Sequence, residues 1–179
     1  MAYTRPTARN LDEIIKTSLF SYEHEVQIQK IWKEHHAAKK TCAGTTLTPS
    51  NYRLIRERTV QCPFFIFPVR REKGHFLLLS QFQGNAFFFT YLEEYRRNPA
   101  TASPYMVVSL YPELHEKYNK DIVLARAELI SPQLQKADAE RLMDLVLRFY
   151  TLDTGFKLVK DFNLRPNQFN YHHYIQTCP

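Results

Sequence analysis

Residues 62–92 read CPFFIFPVRREKGHFLLLSQFQGNAFFFTYL and hold eight of the chain's thirteen Phe residues. Three apolar runs, 64–69, 76–82 and 86–92, are separated by Arg70-Arg71-Glu72-Lys73-Gly74 and by Gln83-Gly84-Asn85. Both breaks carry residues that let a chain reverse direction. Each run has strand length, and aromatic side chains suit a pleated, half-buried surface. The stretch predicts a three-stranded antiparallel meander. Its second and third strands are apolar on both faces, so both faces need a cover.

Upstream of the meander the signals are helical. Asn10 followed three residues later by Glu13 has the spacing of a capping box and opens a helix expected to reach about residue 19. After a break at Phe20-Ser21, residues 23–40 carry Val26, Ile31, Trp32 and His35 on one approximate stripe. Residues 39–46 read as a polar connection. Thr48-Pro49 then supplies a capping hydroxyl and a proline at the first helical position, and this helix must stop before Cys62-Pro63.

Downstream, 93–103 reads as an exposed loop or frayed helix, 106–110 and 121–130 as strands, and 113–120 as polar linker. Ala139, Leu142, Met143, Val146, Phe149 and Tyr150 follow helical spacing, so a helix from about residue 136 should lie across one sheet face. A short strand is expected at 157–161, and Pro166 opens a last helix with Phe169 and Ile175 inward. The fold class is α+β, a mainly antiparallel sheet of five to six strands with helices packed on it. A single domain is expected over 11–179. Residues 1–10 read as a disordered or residual targeting segment.

Composition excludes more than it assigns. At 179 residues the chain has room for one real core. No run approaches the roughly 18 apolar residues that span a membrane. Four glycines are too few for phosphate-cradling loops. Three scattered cysteines form no C-x-x-C and no disulfide framework, which fits a reducing compartment. The doublets His35-His36 and His172-His173 lack the i, i+4 spacing of paired metal ligands, so no metal is expected. With no G-x-S-x-G, P-loop or paired carboxylates, neither an enzyme nor a cofactor is expected.

The formal charge is +6, and residues 1–74 carry the whole excess, with 13 Lys and Arg against 7 Asp and Glu. A basic, aromatic sheet could bind RNA, and Lys73-Gly74-His75-Phe76-Leu77-Leu78 begins like an RNA-recognition signature. It departs at His75 and Phe76, and helices precede the first strand. RNA binding is therefore the alternative reading. A further reading is a protein-binding module, if the meander's aromatic surface is more than the helices cover. From the residues alone, the simpler expectation is that all of it is core.

Two runs carry a family resemblance. One is Gln61-Cys62-Pro63-Phe64-Phe65 continuing to Pro68 and Arg70-Arg71-Glu72. The other is Phe162-Asn163-Leu164-Arg165-Pro166-Asn167-Gln168-Phe169-Asn170-Tyr171. Both resemble the mitochondrial ATP synthase assembly factors that act as chaperones for the β subunit of F1-ATPase. Leu110-Tyr111-Pro112-Glu113-Leu114, Asp121-Ile122-Val123-Leu124 and the segment from Ile31-Trp32-Lys33 to Ala37-Ala38-Lys39 extend the likeness over about residues 11–176. The resemblance implies a non-enzymatic protein of the mitochondrial matrix, a monomer when free. It would hold the free β subunit, shield its α-facing surface and release it to the α subunit. The likeness departs at 93–103 and 113–120. Candidate contact residues are Phe64, Phe87, Phe89 and Tyr111 on the sheet, and Phe162, Leu164, Arg165 and Phe169 in the C-terminal run.

Overall fold

A computed structural model describes residues 8–179. Most of the expected segment 1–10 lies outside the described residues. The helices are α1 (Thr17–Phe20), α2 (Glu25–Ala37), α3 (Pro49–Gln61), α4 (Leu92–Arg97), α5 (Glu113–Tyr118), α6 (Lys136–Thr151), α7 (Asp153–Leu164) and α8 (Tyr171–Thr177). The strands are β1 (Cys42–Leu47), β2 (Phe64–Arg71), β3 (Gly74–Gln83), β4 (Ala86–Tyr91), β5 (Pro104–Tyr111) and β6 (Val123–Leu129). They form one sheet in the order β1-β6-β5-β4-β3-β2, antiparallel throughout. The α+β reading and the aromatic meander hold.

Several local expectations do not. The first helix is only a turn at Leu11–Glu13 followed by the four-residue α1. The polar connection before Thr48 contains β1, whose small residues show no apolar alternation but pair with β6 along their length. Residues 157–161 are helical, inside α7. Phe156, Val159 and Phe162 recur at helical spacing, and that period outweighs the short apolar pair Leu158-Val159. Gly155 lets α7 leave α6 tightly: a Cβ there would sit 2.9 Å from the Phe149 Cα. The polar segment 113–120 also holds a short helix, α5, ended by Asn119 in the left-handed conformation (φ 53°).

One sheet face is buried beneath α3, α6, α7 and α8. Phe65, Phe67, Phe87 and Phe89 point into this layer, all fully buried. Phe149 of α6 packs on Phe65 and Phe67 at ring separations of 5.1 and 5.7 Å, and Tyr150 lies 5.2 Å from Phe87. Such offset and edge-on pairs add to area burial. The long amphipathic helix therefore lies where its periodicity predicts.

The opposite face is covered unevenly. At the β1-β6-β5 side α2 lies across it, with Trp32 fully buried and its Nε1 donating to the Ala125 carbonyl at 3.0 Å. Leu11, Ile28, Tyr111, Leu114 and Leu124 complete this second core. Gly44 makes the approach possible, since a Cβ there would come within 2.9 Å of the Trp32 and His36 rings. At the other side only the short α4 folds back over β3 and β4. An open groove lies between these covers.

Candidate partner-binding surface

The antiparallel register sets Phe64, Gln81, Phe88 and Val107 side by side across β2 to β5 on the less covered face. Gln81 and Phe88 floor the groove together with Thr90, Ser109 and Tyr111. Tyr95 of α4 and the stretch from Pro99 to Pro104 make one wall; Arg9 and Asn10 make the other. The enclosed volume is about 390 Å³. That is within the range of small-ligand sites and also suits a few side chains of a docking protein.

The walls are fixed by polar contacts. The Tyr111 hydroxyl donates to the Arg9 carbonyl at 3.0 Å, and the Arg9 side chain pairs with Glu128 at 3.5 Å. Glu128 also accepts from Arg126 at 2.5 Å. At the far end Tyr52 and Arg56, both of α3, reach round to Asn85 Oδ1 at 3.0 and 3.1 Å and hold the β3-β4 turn. Tyr105 donates to Glu94 at 3.0 Å and ties α4 to β5. Glu113 lines the groove with a buried Oε2 that has no hydrogen-bond partner among the described residues, and burial pushes its carboxyl up. The surface is therefore a largely neutral mixture of amide, hydroxyl and aromatic groups on a rigid sheet.

Of the predicted contact residues, Phe64 lies on this face at the edge, next to Gln81, and is half-buried. Phe87 and Phe89 do not: strand alternation turns both to the helix-covered side, where they are core. Their neighbour Phe88 is the one that faces the groove. Tyr111 is on the right face but 96% buried, beneath Arg9 and against Trp32. Phe88, Gln81, Thr90 and Tyr95 were not anticipated. The signal for Phe88 lies in the three consecutive Phe residues, one of which must oppose the other two.

The C-terminal run divides by role. Phe162 and Phe169 join Phe65 and Tyr174 in an aromatic cluster, with Phe162 5.6 Å from Phe65 and 5.4 Å from Phe169. Leu164 is 55% exposed, and Arg165 pairs with Asp161 at 2.7 Å. Chain ends are held by other arginines: Arg70 donates to the carbonyls of Ile175 and Cys178 at 2.7 and 3.1 Å, and Arg141 to that of Pro179. Asn163 clamps the free edge of β2 at Phe64.

All three cysteines are buried, and burial pushes the Cys62 and Cys178 thiols up, away from the thiolate a nucleophile needs. His36 is buried, with Nδ1 2.7 Å from the Trp32 carbonyl, whereas His35 turns outward to Lys39. Among the described residues no group of three or more His, Cys, Asp or Glu is placed to hold a metal ion, and no helix is long and apolar enough to cross a membrane.

A family model described as ATP11 protein matches residues 2–175. The chain is 32% identical over 165 residues to ATP synthase mitochondrial F1 complex assembly factor 1 of Homo sapiens, covering 91% of this chain and 49% of that protein. The proteins of the same name from Mus musculus and Danio rerio are 29% and 26% identical over 165 and 166 residues. These matches cover 91% of this chain and 50% and 54% of the relatives. The chain thus spans about half the length of the curated relatives it matches.

Proposed function

From the premise that this chain belongs to the ATP11 protein family, we propose that it is an assembly factor for mitochondrial F1-ATPase. It binds the free β subunit in the matrix, covers the surface meant for the α neighbour and yields it to the α subunit. The observation that carries the reading is the match over residues 2–175, together with relatives named as F1 complex assembly factors. The action is non-catalytic: an unassembled subunit exposes a self-associating interface, and a reversible cover on it suffices.

The groove around Phe88 and the adjoining Phe64 form the contact surface. A rigid sheet patch mixing aromatic rings with neutral hydrogen-bonding groups resembles the centre of a protein interface, where charged residues are depleted. Its composition also favours a protein over RNA. A phosphate backbone needs unpaired cations, and the one basic side chain lining the groove among the described residues, Arg9, is paired with Glu128. The exposed Leu164, last residue of α7, and Arg165 after it do not line the groove and are a secondary contact.

The test is aggregation of isolated F1 β subunit on warming, followed by light scattering. Equimolar chain should suppress the scattering, and later addition of α subunit should free the chain. Unchanged scattering would reject the reading.

A further inference from the structure

The two edges of the sheet are treated differently. At the β2 edge the register turns the backbone groups of Phe64, Ile66 and Pro68 outward, since the Phe82 N–H pairs with the Pro63 carbonyl. Side chains seal all of them but the Ile66 N–H. Asn163 bonds both groups of Phe64, Tyr174 donates to the Ile66 carbonyl at 2.6 Å, and Arg141 to the Pro68 carbonyl at 3.0 Å. Pro68 has no N–H to offer. This edge is closed to another strand.

At the β1 edge the Leu129 N–H pairs with the Thr41 carbonyl, so Cys42, Gly44 and Thr46 turn their N–H and C=O groups outward. Among the described residues no hydrogen bond reaches these groups. The strand CAGTTL has no charge and no proline, the devices that usually protect an edge. It floors a cleft of about 520 Å³ walled by α2 and α6. His36, only 2% exposed, lines this cleft, and its Nε2 has no partner among the described residues.

From this asymmetry we infer that the β1 edge is a strand-addition site: an extended segment of the partner subunit adds there as a seventh strand. The inference rests on the assembly-factor reading and concerns a different surface from the Phe88 groove. Main-chain hydrogen bonds supply the recognition, and alternate side chains meet the two walls. The wall from α6 offers Met143 and Leu147 within a rim of mixed charge, Lys136, Glu140 and the Asp144–Arg148 pair, so its centre takes apolar residues. The α2 wall offers Lys33 and His36, so it takes acidic or hydrogen-bonding ones. The occupant is a strand of about five residues, apolar on one face and acidic on the other.

A second copy of the chain fits less well. Antiparallel pairing of two β1 edges brings α2 beside its symmetry mate and sets Lys33 towards its own copy. The edge also lies between two helices, which admit a single strand more readily than a second domain flanked by its own.

Thr46→Pro removes an outward N–H without touching the ladder to β6, and Thr46→Val keeps that N–H as a control. Binding of purified F1 β subunit to each variant is measured, with amide exchange of β1 followed by NMR. The expected result is protection of the Gly44 and Thr46 amides in the complex, about tenfold or greater weakening by Thr46→Pro, and parental binding by Thr46→Val. Capture of β subunit with those amides exchanging as in the free chain overturns the inference and leaves the assembly-factor reading intact. If Thr46→Pro fails to fold by circular dichroism, protection in the parent chain decides. If no β subunit is captured, the functional reading fails. A peptide of about ten residues alternating valine with glutamate then decides: protection of the same amides upholds strand addition, and none overturns it.

Discussion

Asn163 holds Phe64 by both backbone groups: its Oδ1 accepts the Phe64 N–H at 3.2 Å and its Nδ2 donates to the Phe64 carbonyl at 2.6 Å. One amide side chain thus imitates the neighbouring strand that β2 lacks. It connects the two most specific stretches of the sequence, the start of the meander and the FNLRPNQFNY run. Asn163→Ala leaves two half-buried backbone groups without partners. The expected cost is about 1–3 kcal/mol, read as a lower urea midpoint with unchanged slope. Asn163→Asp keeps the acceptor, loses the donor and should fall between the two. An unaltered midpoint in Asn163→Ala would contradict the clamp.

Phe88 and Phe89 give opposite predictions from adjacent positions. Phe88→Asp puts a carboxylate in the open groove and should abolish or strongly weaken β-subunit capture with the circular dichroism spectrum retained. Phe89→Asp buries that charge beneath α6 and should prevent folding, a loss of well over 3 kcal/mol. Retained capture by folded Phe88→Asp would move the contact surface elsewhere.

Gly155→Ala is expected to destabilise by about 1–3 kcal/mol, because its Cβ would meet the Phe149 backbone, which cannot swing aside. Calorimetry should report a lower melting temperature and a native spectrum. A neutral effect would mean that the α6-α7 junction yields more easily than its geometry suggests.

His36 makes stability depend on pH. Burial lowers its pKa from the ordinary 6.5 to about 4. Below pH 6.5 the unfolded chain takes up a proton that the folded chain refuses, so this contribution is complete above about pH 6.5. It falls as pH drops towards 4 and is level below that. The total is roughly 3 kcal/mol. Urea midpoints of the parent and of His36→Gln, measured from pH 7.5 to 4, should converge as pH falls. Parallel curves would mean that His36 titrates normally in the folded chain.

The fold was legible in outline because its main elements carry strong local signals. The Phe-rich meander falls into strand-length apolar runs between turn residues, and α6 repeats Leu142, Val146 and Phe149 on one face. Elements that escaped have their cause in tertiary context. In β1, Ala43, Gly44 and Thr45 carry too little apolar signal to predict a strand. The strand exists because β6 offers it a ladder and Gly44 makes room for Trp32 and His36. In α7 the helical period shows only when Phe156 and Phe162, outside the short window 157–161, are counted with Val159.

The candidate surface was legible only in kind. Composition implies that the meander has aromatic surface to spare, but Phe87, Phe88 and Phe89 are chemically identical. Only the docking of Tyr150 on Phe87 and the contact of Phe89 with Phe67 decide which two are core. In the C-terminal run, likewise, nothing local announces that Asn163 reaches a strand 99 residues earlier in the chain.

The decisive measurement is co-purification with separately expressed F1 β subunit, followed by a challenge with α subunit. The chain should capture β, and α should displace it. Failure to capture β, with salt-sensitive retention on RNA instead, would contradict it.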